Sequence, residues 1–555
     1  MPAYPPSVPT AISFTHLTHT WPDGTPCLTN ITGTVTAPIT ALIGDNGSGK
    51  STLLKILAGQ LTPTSGSIRT PSSTAYLPQD LGLSAKQTLA DLFGISTILD
   101  ALDELESGNY SPTLLDTIGD HWDAAEHALA QLTAAGFSPA NTVEPADCRQ
   151  FLRRRVGTLS GGQAVTAALA GALSGSPSFL LLDEPTNNLD GQAKERFYQL
   201  LERLPCPALI VTHDRELLSR VQAILELRAG NMRSFTGNYA VYRQAIAQEQ
   251  EAVRRHYRQA QQVERKEKRD RIEAETKLAH SHRRAQTFKA RKKASAMEMG
   301  LAASTAQVSA AKLRKTHQER LQIAQATKQK TADALRKDES VYLDLPGTSL
   351  PPGKRVLELE IVNPGISMPS DQPRYLALQG PERLRLAGPN GSGKTTLLRA
   401  IAQAGSTEYK DQVANALPSI YSVTYCLQAV SYLPQVIDLP ADTTMLDYVW
   451  QADPQLTTQE VRDSLARLLF RRDRVELPLE GLSGGERFRV ALARQLLATP
   501  APQLLLLDEP TNNLDIASVN WLVSALASYR GALLVVSHDD YFCQQLDLTR
   551  TLDLP

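Results

Sequence analysis

The eight residues GDNGSGKS at Gly44–Ser51 set glycines, a lysine and a hydroxyl at a spacing that can hold a polyphosphate. Glycines let backbone N–H groups approach phosphate oxygens, and a following helix adds positive potential from its N-terminus. Lys50 would neutralise phosphate charge, and Ser51, with Thr52 beside it, would offer a hydroxyl to Mg2+. A second stretch, LLLDEPTNNLD at Leu180–Asp190, ends an apolar run in two carboxylates. Such a run reads as a strand buried on both faces of a mostly parallel sheet, whose C-terminal end points into the ligand crevice. Asp183 would hold Mg2+ through water, and Glu184 would orient or deprotonate an attacking water.

Each of these segments occurs twice, in the same order. GPNGSGKT at Gly388–Thr395 answers the first loop: Gly44, Asn46, Gly47, Gly49, Lys50, Ser51 and Thr52 correspond to Gly388, Asn390, Gly391, Gly393, Lys394, Thr395 and Thr396. YLPQ ends at Gln79 and again at Gln435, each a candidate for Mg2+ and the attacking water. LSGGQ supplies Ser160, Gly161, Gly162 and Gln163; LSGGE supplies Ser483, Gly484, Gly485 and Glu486. LLLDEPTNNLD returns at Leu505–Asp515, 325 positions on, with Asp508 and Glu509; VTHD and VSHD bring His213 and His538. ITALIG and RLRLAG feed the two loops and STLLKILAGQ and TTLLRAIAQA follow them, so both have the strand–loop–helix context that phosphate binding requires.

The elements that must carry these residues need several domains. At 555 residues the chain is expected to hold three or four units. A net charge of −1 implies no particular partner. Cys27, Cys148, Cys206, Cys426 and Cys543 form no C-x-x-C pair, which suits a reduced intracellular chain without zinc ribbon or disulfide scaffold. No apolar run approaches the ~20 residues of a membrane span, and MPAYPPSVPT is not laid out as a signal peptide. A cytoplasmic location with no membrane partner is expected.

Between the two repeats the composition changes. Residues 241–340 carry 24 Lys and Arg against 12 Asp and Glu, leaving −13 elsewhere, and glycine and proline nearly vanish. This composition predicts an antiparallel pair of helices over 238–343, its tip about 283–305, with an arm of ~45 residues reaching roughly 65–70 Å. Arg283, Arg284, Lys289, Arg291, Lys292 and Lys293 form the basic peak, suited to RNA phosphates. The flanking segments 9–237 and 354–555 would be the two phosphate-binding domains. The acidic stretch Asp91–Asp147 reads as a helical lobe beside the first LSGG segment.

LSGG, with the two loops, the Gln segments, the carboxylate strands, Leu189-Asp190, Leu514-Asp515 and the two histidines, resembles the ABC ATPases segment by segment. The resemblance covers about three-quarters of the chain. It implies an α/β fold of two P-loop ATPase domains joined by the helical hairpin, and ATP with Mg2+ as ligands. It also implies a monomer whose halves pair head to tail. ATP on Lys50, Asp183, Glu184, Gln79 and His213 would be closed by Ser483 and Gly485. ATP on Lys394, Asp508, Glu509, Gln435 and His538 would be closed by Ser160 and Gly162. The family usually stacks adenine on an upstream aromatic; Trp21 stands in that place, while the second half offers Tyr375. Two cassettes, no membrane span and a charged helical linker resemble the ABC-F family. That implies a ribosome partner, with the linker near 23S rRNA, P-site tRNA and the peptidyl-transferase centre. The family implies either ribosome protection with antibiotic resistance or a housekeeping factor for stalled ribosomes; the long linker and the small neutral stretch after its basic peak favour protection. A membrane-transporter ATPase would share the motifs without needing the basic insert. The sequence departs from the family at Asn188 and Asn513, where histidine is common, and at Ala164-Val165-Thr166, where the second half keeps Arg487. These departures predict slower hydrolysis at the site built on Lys394.

Overall fold

The computed structural model describes residues 11–79, 87–137, 148–187, 189–291, 296–335, 345–361, 375–405, 421–468, 470, 474–548 and 550–554. It divides into two compact units, Met1–Tyr239 with Glu339–Pro555, and Ala240–Asp338.

In the first unit each sequence repeat builds a cassette around a parallel sheet. The first sheet runs in the spatial order Thr74–Leu77, Phe179–Asp183, Ala208–Val211, Ile39–Ile43, Ala223–Arg228, Asn231–Thr236, and only the last pairing is antiparallel. The second runs Val430–Leu433, Leu504–Asp508, Ala532–Val536, Arg383–Ala387, Arg550–Asp553, parallel throughout. Phe179–Leu182 and Leu504–Leu507 are fully buried. An apolar run packed on both faces has no solvent side to alternate toward, which is why these strands are continuous rather than alternating in sequence. Register then fixes the chemistry: Asp183 pairs with Val211 and Asp508 with Val536, so each carboxylate strand ends level with the strand that leads into a histidine. A three-stranded antiparallel sheet flanks each cassette, centred on Ile12–Thr20 and on Arg355–Ile361.

The acidic stretch of the first cassette forms helices Ser96–Glu106, Pro112–Ile118 and Ala124–Ala134. Leu99, Leu102, Ile118, Ala128 and Leu132 pack into one cluster with Ala167 and Ala170 of helix Gly161–Ser174. Arg149 and Arg153 neutralise part of the acidic surface through Asp100, Asp103 and Glu106.

The second unit is a pair of long helices, Tyr239–Arg291 and Ala296–Ala334, running antiparallel. Gly300 lies inside the second of them; residues 292–295, between the two, lie outside the described residues. Glu264 joins the helices: its carboxylate meets Lys268 of its own helix at 2.7 Å and Lys328 of the other at 2.9 Å. These two ammonium groups hold its carboxyl down at about 2. A depressed carboxyl stabilises above its ordinary pKa of about 4.5, and that stability is lost as pH falls toward 2. Glu264→Gln is expected to lower amide-exchange protection around the crossing about two- to fivefold at pH 7. The gap to the parent should close below pH 4.5; a gap independent of pH would show that charge is not its cause. Among the described residues, no helix is long and apolar enough to cross a membrane.

Candidate functional site

Each phosphate loop wraps its own lysine. Lys50 Nζ donates to the carbonyls of Gly44 and Asp45 at 2.8 and 3.1 Å; Lys394 Nζ donates to Gly388 and Pro389 at 2.7 and 2.8 Å. Both lysines are buried, and burial pushes both ammonium groups down, opposed first by Glu184 and Glu509 respectively. The loop geometry needs glycine. Gly49 and Gly393 sit at φ +96° and +90°, and a Cβ there would meet Leu28 Cδ2 at 2.6 Å or the Tyr421 hydroxyl at 2.9 Å. Helices Lys50–Leu57 and Lys394–Gly405 start directly from these glycines, so Ser51, Thr52, Thr395 and Thr396 lie in their first turns.

The carboxylate strands deliver their ends to the same place. Ser51 and Tyr76 bond Asp183, and Thr395 and Tyr432 bond Asp508; the tyrosine hydroxyls stand 3.3 and 3.2 Å from Oδ2. Burial nevertheless keeps both aspartates above their ordinary range. Among the described residues, Asp183 Oδ1 and Asp508 Oδ1 are buried and accept no hydrogen bond. An orphaned carboxylate oxygen beside a Ser or Thr hydroxyl suits the donor set of a hard, oxygen-seeking cation.

Glu184 and Glu509 follow in the left-handed region, at φ +48° and +46°. This backbone is strained for a residue with a Cβ and is held here by the strand on one side: Glu184 N donates to Val211 O and Glu509 N to Val536 O, both at 2.9 Å. The turn brings Glu184 Oε1 within 3.4 Å of His213 Nε2 and Glu509 Oε1 within 3.3 Å of His538 Nε2. Neither pair has hydrogen-bond geometry, so both histidine Nε2 atoms and Glu509 Oε1 remain buried and unsatisfied among the described residues. Burial pushes both glutamates up to about 7, while burial and then the lysine charge push His213 down and His538 down to about 4. A carboxyl poised near neutrality beside a neutral imidazole can take a proton from water.

The raised carboxyls carry a sign. The folded chain holds protons that the unfolded chain releases above pH 4.5, so these groups stabilise below pH 4.5 and cease to do so as pH rises through 7. Glu184→Gln with Glu509→Gln removes that loss. Relative to the parent, the nucleotide-free variant should gain stability from pH 4.5 to 7, by about 1.4 kcal/mol per pH unit per carboxyl at most. Thermal midpoints at pH 5 and pH 7 check it; equal midpoint differences at the two values would contradict it.

The cassettes meet at these loops. Asn46 N donates to Asp515 Oδ2 at 2.9 Å, and Asn390 N donates to Asp190 Oδ2 at 3.3 Å. The other oxygen of each aspartate caps its own helix, receiving Ala193 N at 2.9 Å or Ser518 N at 2.8 Å. A cavity of about 370 Å³ opens over the second loop, lined by Asn390, Gly391, Gly393, Lys394, Thr395, Thr396, Gln435, Asp508, Glu509 and His538, together with Leu189 from the first cassette. The lining does not include Ser160 or Gly162.

The LSGG segments instead close on themselves. Ser160 and Gln163 cap each other's backbone N–H, as do Ser483 and Glu486, while Gly161 and Gly484 open the helices. Gly162 and Gly485 are needed for packing, since a Cβ there would meet Ala193 Cβ at 2.6 Å or Ser518 Oγ at 2.8 Å. Arg487 holds the turn before the second segment, donating to the carbonyls of Leu482 and Glu480 at 3.2 and 2.9 Å. Ala164 stands at the matching place in the first cassette and has no side chain to do so.

Gln79 is exposed after its strand. Trp21 is 39% exposed at the turn after Ile12–Thr20, its ring in a T-shaped contact with His19 at 5.1 Å between centroids. Tyr375 begins strand Tyr375–Gln379 with its hydroxyl on Glu358. Of the basic peak, Arg283 is exposed, Arg284, Lys289 and Arg291 lie on the first long helix, and Lys292 and Lys293 lie outside the described residues, as does Asn188. Sequence reasoning missed Tyr76 and Tyr432 as partners of the aspartates. Their repetition in both YLPQ segments was the available signal.

Fold and paired loops together define a protein of two nucleotide-binding cassettes on one chain. The "ABC transporter" family model matches residues 28–187 and 375–512. The chain is 33% identical to the Streptomyces fradiae protein named "Tylosin resistance ATP-binding protein TlrC", over 90% of this chain and 89% of that one. It is 28% identical to "ABC transporter F family member 5" of Arabidopsis thaliana, over 91% and 69%. The solved structure titled "RNase-L Inhibitor" shares the fold at TM-score 0.50 and 17% identity, covering 97% of this chain and 87% of that one. The chain belongs to the ABC transporter family, and within it to the ABC-F proteins, whose tandem cassettes bind ATP.

Proposed function

We propose that this chain is an ATP-hydrolysing clamp that binds the ribosome and carries its basic hairpin to RNA near the P-site tRNA and the peptidyl-transferase centre, as a ribosome-protection protein. The observation that carries the clamp is reciprocal: each phosphate loop gives a backbone N–H to an aspartate of the opposite cassette, Asn46 to Asp515 and Asn390 to Asp190. ATP bound at either loop thus lies where it can draw both cassettes together. Trp21 supports adenine on the first loop. The loop amides, Lys50 and Lys394 hold the phosphates, Glu184 and Glu509 take the proton of the attacking water, and His213 and His538 sit where they can contact the transferred phosphoryl group. Ser160, Gly162, Ser483 and Gly485 would complete the opposite sites on further closure. The residues present suit Mg2+, held by Ser51, Asp183 and Gln79 and by Thr395, Asp508 and Gln435. When bound, Mg2+ offsets the charge that develops on the phosphate oxygens.

The surplus of 12 positive charges over 241–340 supports RNA as the partner of the hairpin. The drug named for TlrC supports protection. Relatives of similar identity whose names carry no drug, ABC transporter F family member 5 among them, leave a housekeeping role as the second reading. The test is a strain expressing the parent chain or its Glu184→Gln, Glu509→Gln form, with ribosome sedimentation in ATP and susceptibility to peptidyl-transferase-centre drugs. Co-migration of the blocked form and a raised inhibitory concentration with the parent are expected. Co-migration without altered susceptibility selects the housekeeping role, and recovery of the blocked form with membranes in place of ribosomes would overturn the ribosomal reading.

A further inference from the structure

The two histidine segments touch each other through one residue. Arg215 follows His213-Asp214 of the first cassette. Its guanidinium lies 3.4 Å from the centre of the Tyr541 ring, which follows His538 in the second cassette. Its NH2 group donates to Asn520 Oδ1, on helix Ile516–Ala527 of the second cassette, at 2.7 Å. Asp214, immediately before it, is held rigidly: Oδ1 caps helix Arg215–Arg220, and Oδ2 takes the Tyr198 hydroxyl at 2.7 Å and Lys194 at 3.3 Å. On the other side Asp539 caps helix Asp540–Gln545, which carries Tyr541. A planar cation stacked on a ring and hydrogen-bonded at its edge fixes both distance and angle, as a lysine would not.

The internal repeat shows that this contact is one-sided. The position matching Arg215 is Asp540, and the one matching Asn520 is Glu195. Two carboxylates cannot repeat the bond. Each is engaged within its own cassette, Asp540 by Arg385 at 2.9 Å and Glu195 by Arg220 at 3.2 Å. Lys194, matched by Val519, adds a first-cassette charge that reaches Glu509 and His538. The two nucleotide sites are thus joined asymmetrically by residues next to the groups that act on the terminal phosphate.

Resting on the hydrolytic reading above, we infer that Arg215 is a positioning residue that links the two histidine segments through Tyr541 and Asn520, so that hydrolysis at one site depends on the state of the other. A displaced His213 segment carries Arg215 with it and, through the Tyr541 ring and Asn520, shifts the His538 segment. Arg215 touches no nucleotide in this scheme. Its loss should spare the binding of ATP and alter only the dependence of one site on the other.

The test is the additivity of turnover in the full-length protein. Steady-state phosphate release is measured for the parent, Glu184→Gln and Glu509→Gln, then again in Arg215→Ala and in Tyr541→Leu backgrounds. Independent sites require the two single-block rates to sum to the parent rate, however unequal the sites are. With Arg215 in place the sum is expected to fall short of the parent on the order of fivefold or more. In Arg215→Ala and Tyr541→Leu backgrounds the sum should return to within about twofold of each background's own unblocked rate, with KM for ATP little changed. Tyr541→Phe, which keeps the ring, should preserve the shortfall. The proposal is overturned if the single blocks sum to the parent with Arg215 present. It is equally overturned if the shortfall survives in both Arg215→Ala and Tyr541→Leu, or if those two variants raise KM for ATP in step with any change in rate. Absence of turnover in the parent, or turnover unaffected by the double block, would instead fail the hydrolytic reading.

Discussion

Replacing Glu184 and Glu509 together by glutamine should cut steady-state ATP turnover by a factor on the order of 10²–10⁴ while leaving ATP bound. Phosphate release and filter binding measure the two halves of this result. The basis is positional. Each carboxylate stands one residue after an aspartate with an unpaired buried oxygen, and within 3.4 Å of the Nε2 atom of a half-buried histidine. Burial raises each to about 7, so either can accept a proton at working pH. Glutamine fills the same volume and keeps hydrogen-bonding capacity without that basicity. The loop contacts of Lys50 and Lys394 do not involve the glutamate side chains, so phosphate binding should survive. Turnover within tenfold of the parent would remove Glu184 and Glu509 from the chemistry.

The second large effect concerns the hairpin. Changing Arg283, Arg284, Lys289, Arg291, Lys292 and Lys293 to glutamine should weaken ribosome co-sedimentation and flatten its salt dependence. Each cation that meets a phosphate contributes about one unit to the slope of log affinity against log salt, so the slope should fall by up to about six. Turnover without ribosomes should be unchanged, because the substitutions lie in the unit Ala240–Asp338 while the phosphate loops lie in the other. An unchanged slope would show that this stretch meets no phosphates. Weakened binding with an unchanged slope would point to lost shape rather than lost charge.

The chemistry-bearing segments were legible because their signals are local. A loop with four fixed positions, an apolar run ending in Asp183-Glu184 and a helix-forming basic insert each declare themselves within about a dozen residues, and the internal repeat doubles every signal. Contacts that join distant segments had no such signature. Nothing around Arg215 announces a partner more than 300 positions away in Asn520, and nothing around Tyr76 announces Asp183. The left-handed backbone at Glu184 and Glu509 was equally hidden, because sequence signals for positive φ are glycine and asparagine rather than glutamate. The end of the first long helix shows a subtler limit. Gly300 was the visible interruption, yet glycine costs only about 1 kcal/mol within a helix, and the helix Ala296–Ala334 runs through it.

The unusual backbone at the two glutamates sets activity against robustness. Glycine would adopt the same turn without steric penalty and would also remove a carboxyl that burial disfavours, so it should relieve on the order of 1–2 kcal/mol at each position. Selection for heat resistance alone would therefore drift toward catalytically dead forms. Homologues that have lost their enzymatic duty should be recognisable by a glycine at this corner.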